Sequence, residues 1–594
     1  MKKNRKNIGR TAATPVLGSV GLAVLAVLMG SGAQAADISF GTVTPVTVTG
    51  HKTVDSVQVR TDDTTANGSS NTIGITVTGV QTGTSNTTTN NQVKPTAIGN
   101  TFTNSIDLSL TGAVPDSNVE GSASLGLQTN SGVVSSTANN NTVKVDLTGF
   151  TNGSAANTAN TIAASTTLNS GSSTIAGTVP NGYTSTVPGS AGVSYTPTGS
   201  VASSQGSIAI TSAQTGTGAS SSAEATGNDV TLSLSSPTSA TVSAGPVLDN
   251  NTVSSTLKGN AATSTASIQA GGAPTFTGSA VVSNLQLNQA TTAGVTHSAV
   301  TEGTSVLATV GGDATGVTNT LAGGLSVQGN TISSAATGNE SLGAAGVAGN
   351  RILLGDGVSV AGAGSPGVNT ASFNAGNLSN GVSADLAILN SQGNVRVSLS
   401  SKTQGAGVGA AVQSLDNGSV NLSGNSVTSA ATGNAASSAI ASGQDAASFA
   451  ATTALASQQN NYRASVEALT GPSVVGVISG FEDGTNNASS VTVGNNRTAA
   501  TAYGSTVSQN LSLQANALPL GGAASLSGGS TPDGNVFAVG AATVSNLQGN
   551  YAGAVGAVNS LSIVGLSADS RGTGGDTIKA RSVRGRRRDE CAKA

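Results

Sequence analysis

An asparagine followed by apolar residues at every second position recurs along the chain: Asn71 leads Ile73, Ile75 and Val77, Asn141 leads Val143, Val145 and Leu147, and Asn394 leads Val395, Val397 and Leu399. Side chains of a strand alternate between two faces, so a period of two describes a strand with one face on a core. Asn104 with Ile106, Leu108 and Leu110, and Asn228 with Val230, Leu232 and Leu234, repeat the pattern. A feature copied this often points to a repeated structural unit before it points to a pocket.

Composition limits what such strands can build. The 594 residues contain no Trp, 8 Phe and 5 Tyr, and the 37% hydrophobic content leans on Ala. A thick multilayer core lacks the large side chains to fill it, so a thin one is expected. Charged residues make up only 8% against 80 Gly, which excludes both charge-driven disorder and a polyelectrolyte binder as descriptions of the body. The single cysteine, Cys591, rules out an intrachain disulfide and leaves stability to backbone ladders.

The N-terminus reads as an export signal over 1–35. Lys2, Lys3, Arg5, Lys6 and Arg10 precede an apolar stretch from Pro15 to Gly30, and Ala33-Gln34-Ala35 supplies the small-residue cleavage pattern. No later stretch has the roughly 18 continuous apolar residues of a membrane helix, so no transmembrane segment is expected once the signal is removed. Residues 36–570 hold 10 Lys and Arg against 23 Asp and Glu, whereas 571–594 hold 8 against 3. The chain thus divides into a signal (1–35), an N-terminal cap or entry segment (36–70), a degenerate β-strand repeat region (71–570) and a basic tail expected to be disordered (571–594). Arg584-Gly585-Arg586-Arg587-Arg588 carries that tail's charge without interleaved aromatic residues, so no specific nucleic-acid partner is expected.

Internal repetition is close but irregular. LSVQGNTISSAATGN at 325–339 and VNLSGNSVTSAATGN at 420–434 share eight positions, as do AVVSNLQLNQA at 280–290 and ATVSNLQGNYA at 542–552. Ala-Thr-Gly-Asn appears a third time at 225–228. Asn71, Asn104 and Asn141 lie 33 and 37 residues apart but Asn330 and Asn350 only 20, so no single period survives. Each unit reads as one or two short strands ended by Gly-Asn, whose residues tolerate the left-handed backbone of a tight corner.

Stacked as coils, such units predict an all-β, elongated parallel β-solenoid, with Asn71, Asn104, Asn141, Asn228, Asn330, Asn425 and Asn550 as turn and ladder positions. With about 20 residues per coil and about 4.8 Å per level, the body would extend on the order of 130 Å. The Ala-rich region 435–469 fits either a short helix or further coils. The proline-containing stretch 178–198, which carries Tyr183 and Tyr195, reads as an excursion from the stack.

Catalytic signals are weak. Asp62-Asp63 and Glu482-Asp483 are adjacent pairs, and neighbours on a strand point to opposite sides, so they do not converge for acid–base chemistry. His51 and His297, the only histidines, read as surface residues and are too few for a triad or a multi-histidine metal site. Gly311-Gly312-Asp313 and Gly574-Gly575-Asp576 are isolated fragments rather than a calcium-binding repeat. Thr47 and Thr49, and Thr76 and Thr78, are the outward threonines expected of half-exposed strands. No catalytic residue, metal or cofactor is assigned.

The Gly-Asn-[Thr/Ser]-[Ile/Val] units, the Ala-Thr-Gly-Asn strings and the Gln-Thr steps (Gln81-Thr82, Gln128-Thr129, Gln214-Thr215), behind a signal peptide, resemble secreted bacterial β-strand-repeat proteins. That group includes adhesin-like and holdfast-anchor-like surface proteins. The resemblance covers most of 40–570 and implies an extracellular attachment or matrix role, with no catalytic residue to carry over. The asparagine-proline motifs of two-partner-secreted haemagglutinin domains are absent from the sequence. The expected function is therefore non-catalytic: adhesion or structure at the cell surface, through multivalent contacts to a polysaccharide or protein. A self-assembling matrix fibril is the alternative, and a β-helix carbohydrate-active enzyme the third reading.

Overall fold

The computed structural model describes residues 36–580 apart from 41–42, 51, 109–120, 179–182, 185–190, 196–199, 219, 244, 270–273, 291–293, 313–315, 363–366, 374–377, 481–483, 531–533, 560–561 and 569–576. The stretch 1–35 read as a signal, the basic tail from 581, His51, Glu482-Asp483, Asp313 and Gly574-Gly575-Asp576 lie outside the described residues. Within them the chain is all-β, with parallel sheets stacked as a β-solenoid and no helix. The Ala-rich region follows its strand alternative, as Ser426–Ser442, Thr453–Tyr462 and Ser465–Thr470.

Seven levels stack on one another. A central sheet takes one strand from each: Lys52–Arg60, Ser122–Asn130, Ile208–Thr217, Ala280–Gln289, Leu386–Val395, Thr453–Tyr462 and Ala542–Tyr551. From there each coil turns into a shorter parallel sheet, such as Val295–Glu302 and Val397–Gln404, and then into a wedge whose two arms face each other. In the second coil one strand, Thr142–Thr158, makes both arms, and Asn157 Nδ2 donates across them to the Val143 carbonyl at 3.0 Å. The fold-back needs glycine at Gly153: its φ is +128°, and a Cβ there would sit 2.1 Å from the Thr84 carbonyl oxygen of the level before. Long strands such as Thr161–Thr178 and Thr252–Gln269 then return beneath the short and central sheets.

The expectation of about 20 residues per coil is replaced by a far wider one. Equivalent glutamines of the central sheet are separated by 70, 86, 72, 106, 67 and 89 residues. Seven levels at about 4.8 Å per step rise about 29 Å between first and last strands, because the chain is used across each level rather than along the stack. The degenerate spacing follows. Asn71 and Asn141 occupy equivalent places one coil apart, whereas Asn104 lies partway round, in the long strand of the opposite layer. The strip led by Asn394 crosses a corner, with Val395 ending the central strand and Val397 and Leu399 starting the next, on either side of Arg396 at φ +56°.

The longer coils share one insertion, and the coil of 106 residues adds a turn between Ser341 and Asn350 in its long strand. An eight-stranded antiparallel sheet covers the outer face of the central sheet, built from hairpins whose strands are Ala36–Phe40 with Val43–Thr49, Ala191–Tyr195 with Ser200–Gly206, Gly367–Phe373 with Leu378–Ala384, and Ala524–Ser530 with Gly534–Gly540. The last three fall in the coils of 86, 106 and 89 residues. A hairpin brings two strands, so an insertion in every second coil gives the outer sheet eight strands over the seven levels. Within the excursion at 178–198, Tyr183–Thr184 pairs in parallel with Phe276 and Thr277, and Ala191–Tyr195 is the first strand of one of these hairpins.

Three apolar columns run through the stack. One lies between the wedge, the short sheet and the first half of the long strands, with Val143, Leu147, Val230, Leu232 and Ile162. A second joins the central sheet to the second half of the long strands through Ile208, Ile210, Ile175 and Phe276. The third, with Leu125, Leu127, Val281 and Val382, fills the space beneath the antiparallel sheet. The central strands are thus buried on both faces, the condition under which a parallel sheet is normally found.

Candidate functional site

The residues that most resemble a designed arrangement are buried amides in columns. At the corner leading into the long strands, Asn91, Asn160, Asn251, Asn330, Asn425 and Asn496 stack in sequence, each donating its side-chain amide to the Oδ1 of the next at 2.9–3.1 Å. The left-handed residue is the one before: Asn90, Ala159, Asn250, Gly329, Gly424 and Asn495 have φ between +55° and +68°. The corner turns on that residue, which throws the following asparagine inward over its neighbour. Gly-Asn therefore divides the work between its two members rather than sharing it.

Asn71, Asn141 and Asn228 form a shorter column at the corner into the wedge, with amide-to-Oδ1 distances of 2.8 and 2.9 Å. The next level places Thr304 there and the column stops. Asn550 ends a column that runs from Asn288 through Asn394 and Asn461, cross-tied to Asn260, Asn339 and Asn434 in the long strands opposite. Asn104 sits within the strand Thr96–Asp107 rather than at a turn, and bridges layers by donating to the Leu125 carbonyl at 2.7 Å. Of the candidates, then, six are in columns and Asn104 is a tie between sheets.

One column has no counterpart among the sequence candidates. Gln58, Gln128, Gln214, Gln286, Gln392, Gln459 and Gln548 form a continuous ladder, each Nε2 donating to the Oε1 of the preceding level at 2.6–2.9 Å. The same amides reach across to long-strand carbonyls, as Gln286 does to Glu340 at 2.8 Å. A signal existed in the sequence: five of the seven are followed two residues later by asparagine, namely Asn130, Asn288, Asn394, Asn461 and Asn550. Of the Gln-Thr steps, Gln128 and Gln214 belong to the ladder and Gln81 does not.

The candidates for chemistry do not converge. Asp62 and Asp63 are exposed, and the Asp63 carboxylate accepts from the Val133 backbone at 2.8 Å, a turn contact. His297 is not a surface residue: it is 2% exposed on the inner face of the short sheet, and its Nδ1 has no hydrogen-bond partner. Burial alone lowers its pKa from 6.5 to about 4, so the imidazole is neutral at pH 7. Among the described residues no three of His, Cys, Asp and Glu gather to hold a metal ion, and no helix is long and apolar enough to cross a membrane.

The exposed face of the long sheet is regular. Thr161, Thr252, Thr331 and Ser426 stand in register on successive levels, beside a second row of Ser254, Ser333 and Thr428. These side chains are half-buried, with their hydroxyls carried on a rigid lattice of strand spacing. No family model matches the chain, and neither a curated protein nor a solved structure matches it.

Proposed function

We propose that the protein is a secreted, non-catalytic component of the cell surface or extracellular matrix that works in adhesion through many weak contacts. The supporting observation is the in-register hydroxyl rows on the long sheet, where one contact repeats level after level. Each half-buried hydroxyl offers little affinity, but contacts fixed on one scaffold add without new ordering cost, so avidity replaces a pocket. The partner of this reading is a polysaccharide or protein of the surface or matrix. Locating the protein on intact cells, and scoring surface attachment of a deletion strain, tests it; an intracellular location, or attachment equal to the parent, refutes it.

A second reading, a matrix fibril, is favoured by the direction of the glutamine ladder. Every Nε2 points to the preceding level, so the first level ends the ladder on the Gln58 amide and the last on the Gln548 carbonyl. Lys52–Arg60 and Ala542–Tyr551 are the edge strands of the central sheet, and a second copy added head to tail would continue both backbone and side-chain ladders. Thioflavin-positive fibres from purified protein, in place of a monomer, are the result that selects it.

A further inference from the structure

The corner between the central and short sheets differs from every other corner in what occupies its left-handed position. Among the described residues, non-glycine positions with positive φ elsewhere are Ser, Asn, Ala and Asp, short side chains of which Asn and Asp suit that backbone best. Here the position is held by arginine on two successive levels, Arg396 at φ +56° and Arg463 at +51°, before Ala552 takes it at +52° on the last. They are stacked neighbours: the Arg396 amide donates to the Tyr462 carbonyl at 2.9 Å, and the Arg463 amide to the Tyr551 carbonyl at 2.7 Å. A long cationic side chain gains nothing from this backbone, and two like charges one strand spacing apart repel.

The surroundings do not neutralise them. Both arginines are exposed, and among the described residues neither forms an ion pair. They are two of only 10 Lys and Arg in a body, residues 36–570, that carries 23 Asp and Glu. They border an open groove of about 530 Å³ with Val295 and Val397 in its lining. Ser398 and Ser465 add a hydroxyl pair 2.8 Å apart in the same groove. The Arg463 guanidinium lies 5.4 Å from the centre of the Tyr462 ring, half-buried beside it. Paired cations, paired hydroxyls and an apolar floor match a sugar ring that carries a carboxylate.

We infer that this corner is a binding site for an acidic polysaccharide, with Arg396 and Arg463 holding uronate carboxylates and Ser398 and Ser465 the neighbouring hydroxyls. The inference rests on the adhesive reading and names its ligand class. It also assigns affinity to one corner, whereas the hydroxyl rows act over the whole long face.

The test uses the full chain and the Arg396→Asn/Arg463→Asn double variant. Asparagine already holds the left-handed position at Asn90, Asn140, Asn250, Asn417 and Asn495, so the variant keeps or raises the melting temperature and lost binding is not lost folding. The probe is polygalacturonate, with dextran as neutral control and inorganic phosphate as competitor. The expected result is binding by the parent that weakens with salt, a drop of about ten-fold or more in the variant, and no change with dextran. Equal binding by parent and variant, or no polygalacturonate binding by the parent, overturns the assignment. Displacement by phosphate but not by galacturonate oligomers overturns it in favour of a phosphate site. Polygalacturonate binding that needs both arginines, in a protein whose deletion leaves attachment unchanged, keeps the site and removes the adhesive reading. Attachment that persists with both arginines replaced, while polygalacturonate binding is unchanged, does the reverse.

Discussion

Replacing Gln286 with Met probes the ladder at its middle. The glutamine is 0% exposed, donates to Gln214 Oε1 at 2.9 Å and to the Glu340 carbonyl at 2.8 Å, and accepts from Gln392 Nε2 at 2.6 Å. Methionine has nearly the same length and volume, so the cavity contribution is small and the cost is that of the stranded groups. Gln214 Oε1, the Glu340 carbonyl and one Gln392 N–H lose these partners in a dry interior, at about 1–3 kcal/mol each, for about 3–9 kcal/mol in all. The same change at Gln548 removes one bond on an exposed terminal strand and is expected to cost less than about 1 kcal/mol, since water replaces the lost partner. A stacked array opens locally, so the assay is hydrogen exchange of the strand Ala280–Gln289, read alongside the thermal midpoint. Gln286→Met combined with Gln392→Met should cost less than the sum of the two by about 1–3 kcal/mol, because each single change strands a group the other removes. Equal costs at Gln286 and Gln548, together with strict additivity of the pair, refute the claim that the ladder is a coupled element.

Asn330→Ala removes bonds to Asn425 and to the Leu248 carbonyl and strands the Asn251 amide, so local protection around the corner falls by about 2–4 kcal/mol without loss of any turnover. Gly329→Asn should leave the melting temperature within a few degrees, as Asn90, Asn250 and Asn495 hold the same position, whereas Gly329→Val lowers it clearly because a β-branched residue resists φ of +63°. His297 gives a pH signature: its folded pKa, about 4, lies below the unfolded 6.5, so the neutral imidazole's contribution is fully present above pH 6.5 and lost as pH falls through about 4. A shift of this size corresponds to about 3 kcal/mol, and His297→Leu should flatten the melting temperature between pH 6.5 and 4 relative to the parent; an unchanged slope rejects the assignment.

Strand character was legible because alternation is a property of nearest neighbours. The strips led by Asn141 and Asn228 put Val143, Val145, Leu147, Val230, Leu232 and Leu234 into one column, as their period of two requires. Left-handed corners were legible for the same reason, though the division between the turning residue and the following asparagine was not. The string Ala-Thr-Gly-Asn marks the limit of local reading. At 225–228 its glycine turns a corner at φ +61°, but at 336–339 and 431–434 the same four residues run straight through the long strands.

By itself, then, the sequence determined an all-β chain with a thin core, corners at small left-handed residues, and no disulfide among its parts. Tertiary structure decided the length of a coil, the hairpin sheet over every second level, the burial of His297, and which amides stack. All four depend on register between residues 67 to 106 positions apart, the separations of successive ladder glutamines. Energies of that range are set by which groups are left without water when the layers close, and no window of neighbouring residues contains that information. Arg396 and Arg463 are the clearest case: 67 residues apart in the chain and unremarkable there, they become one charged corner only when the fifth and sixth levels meet.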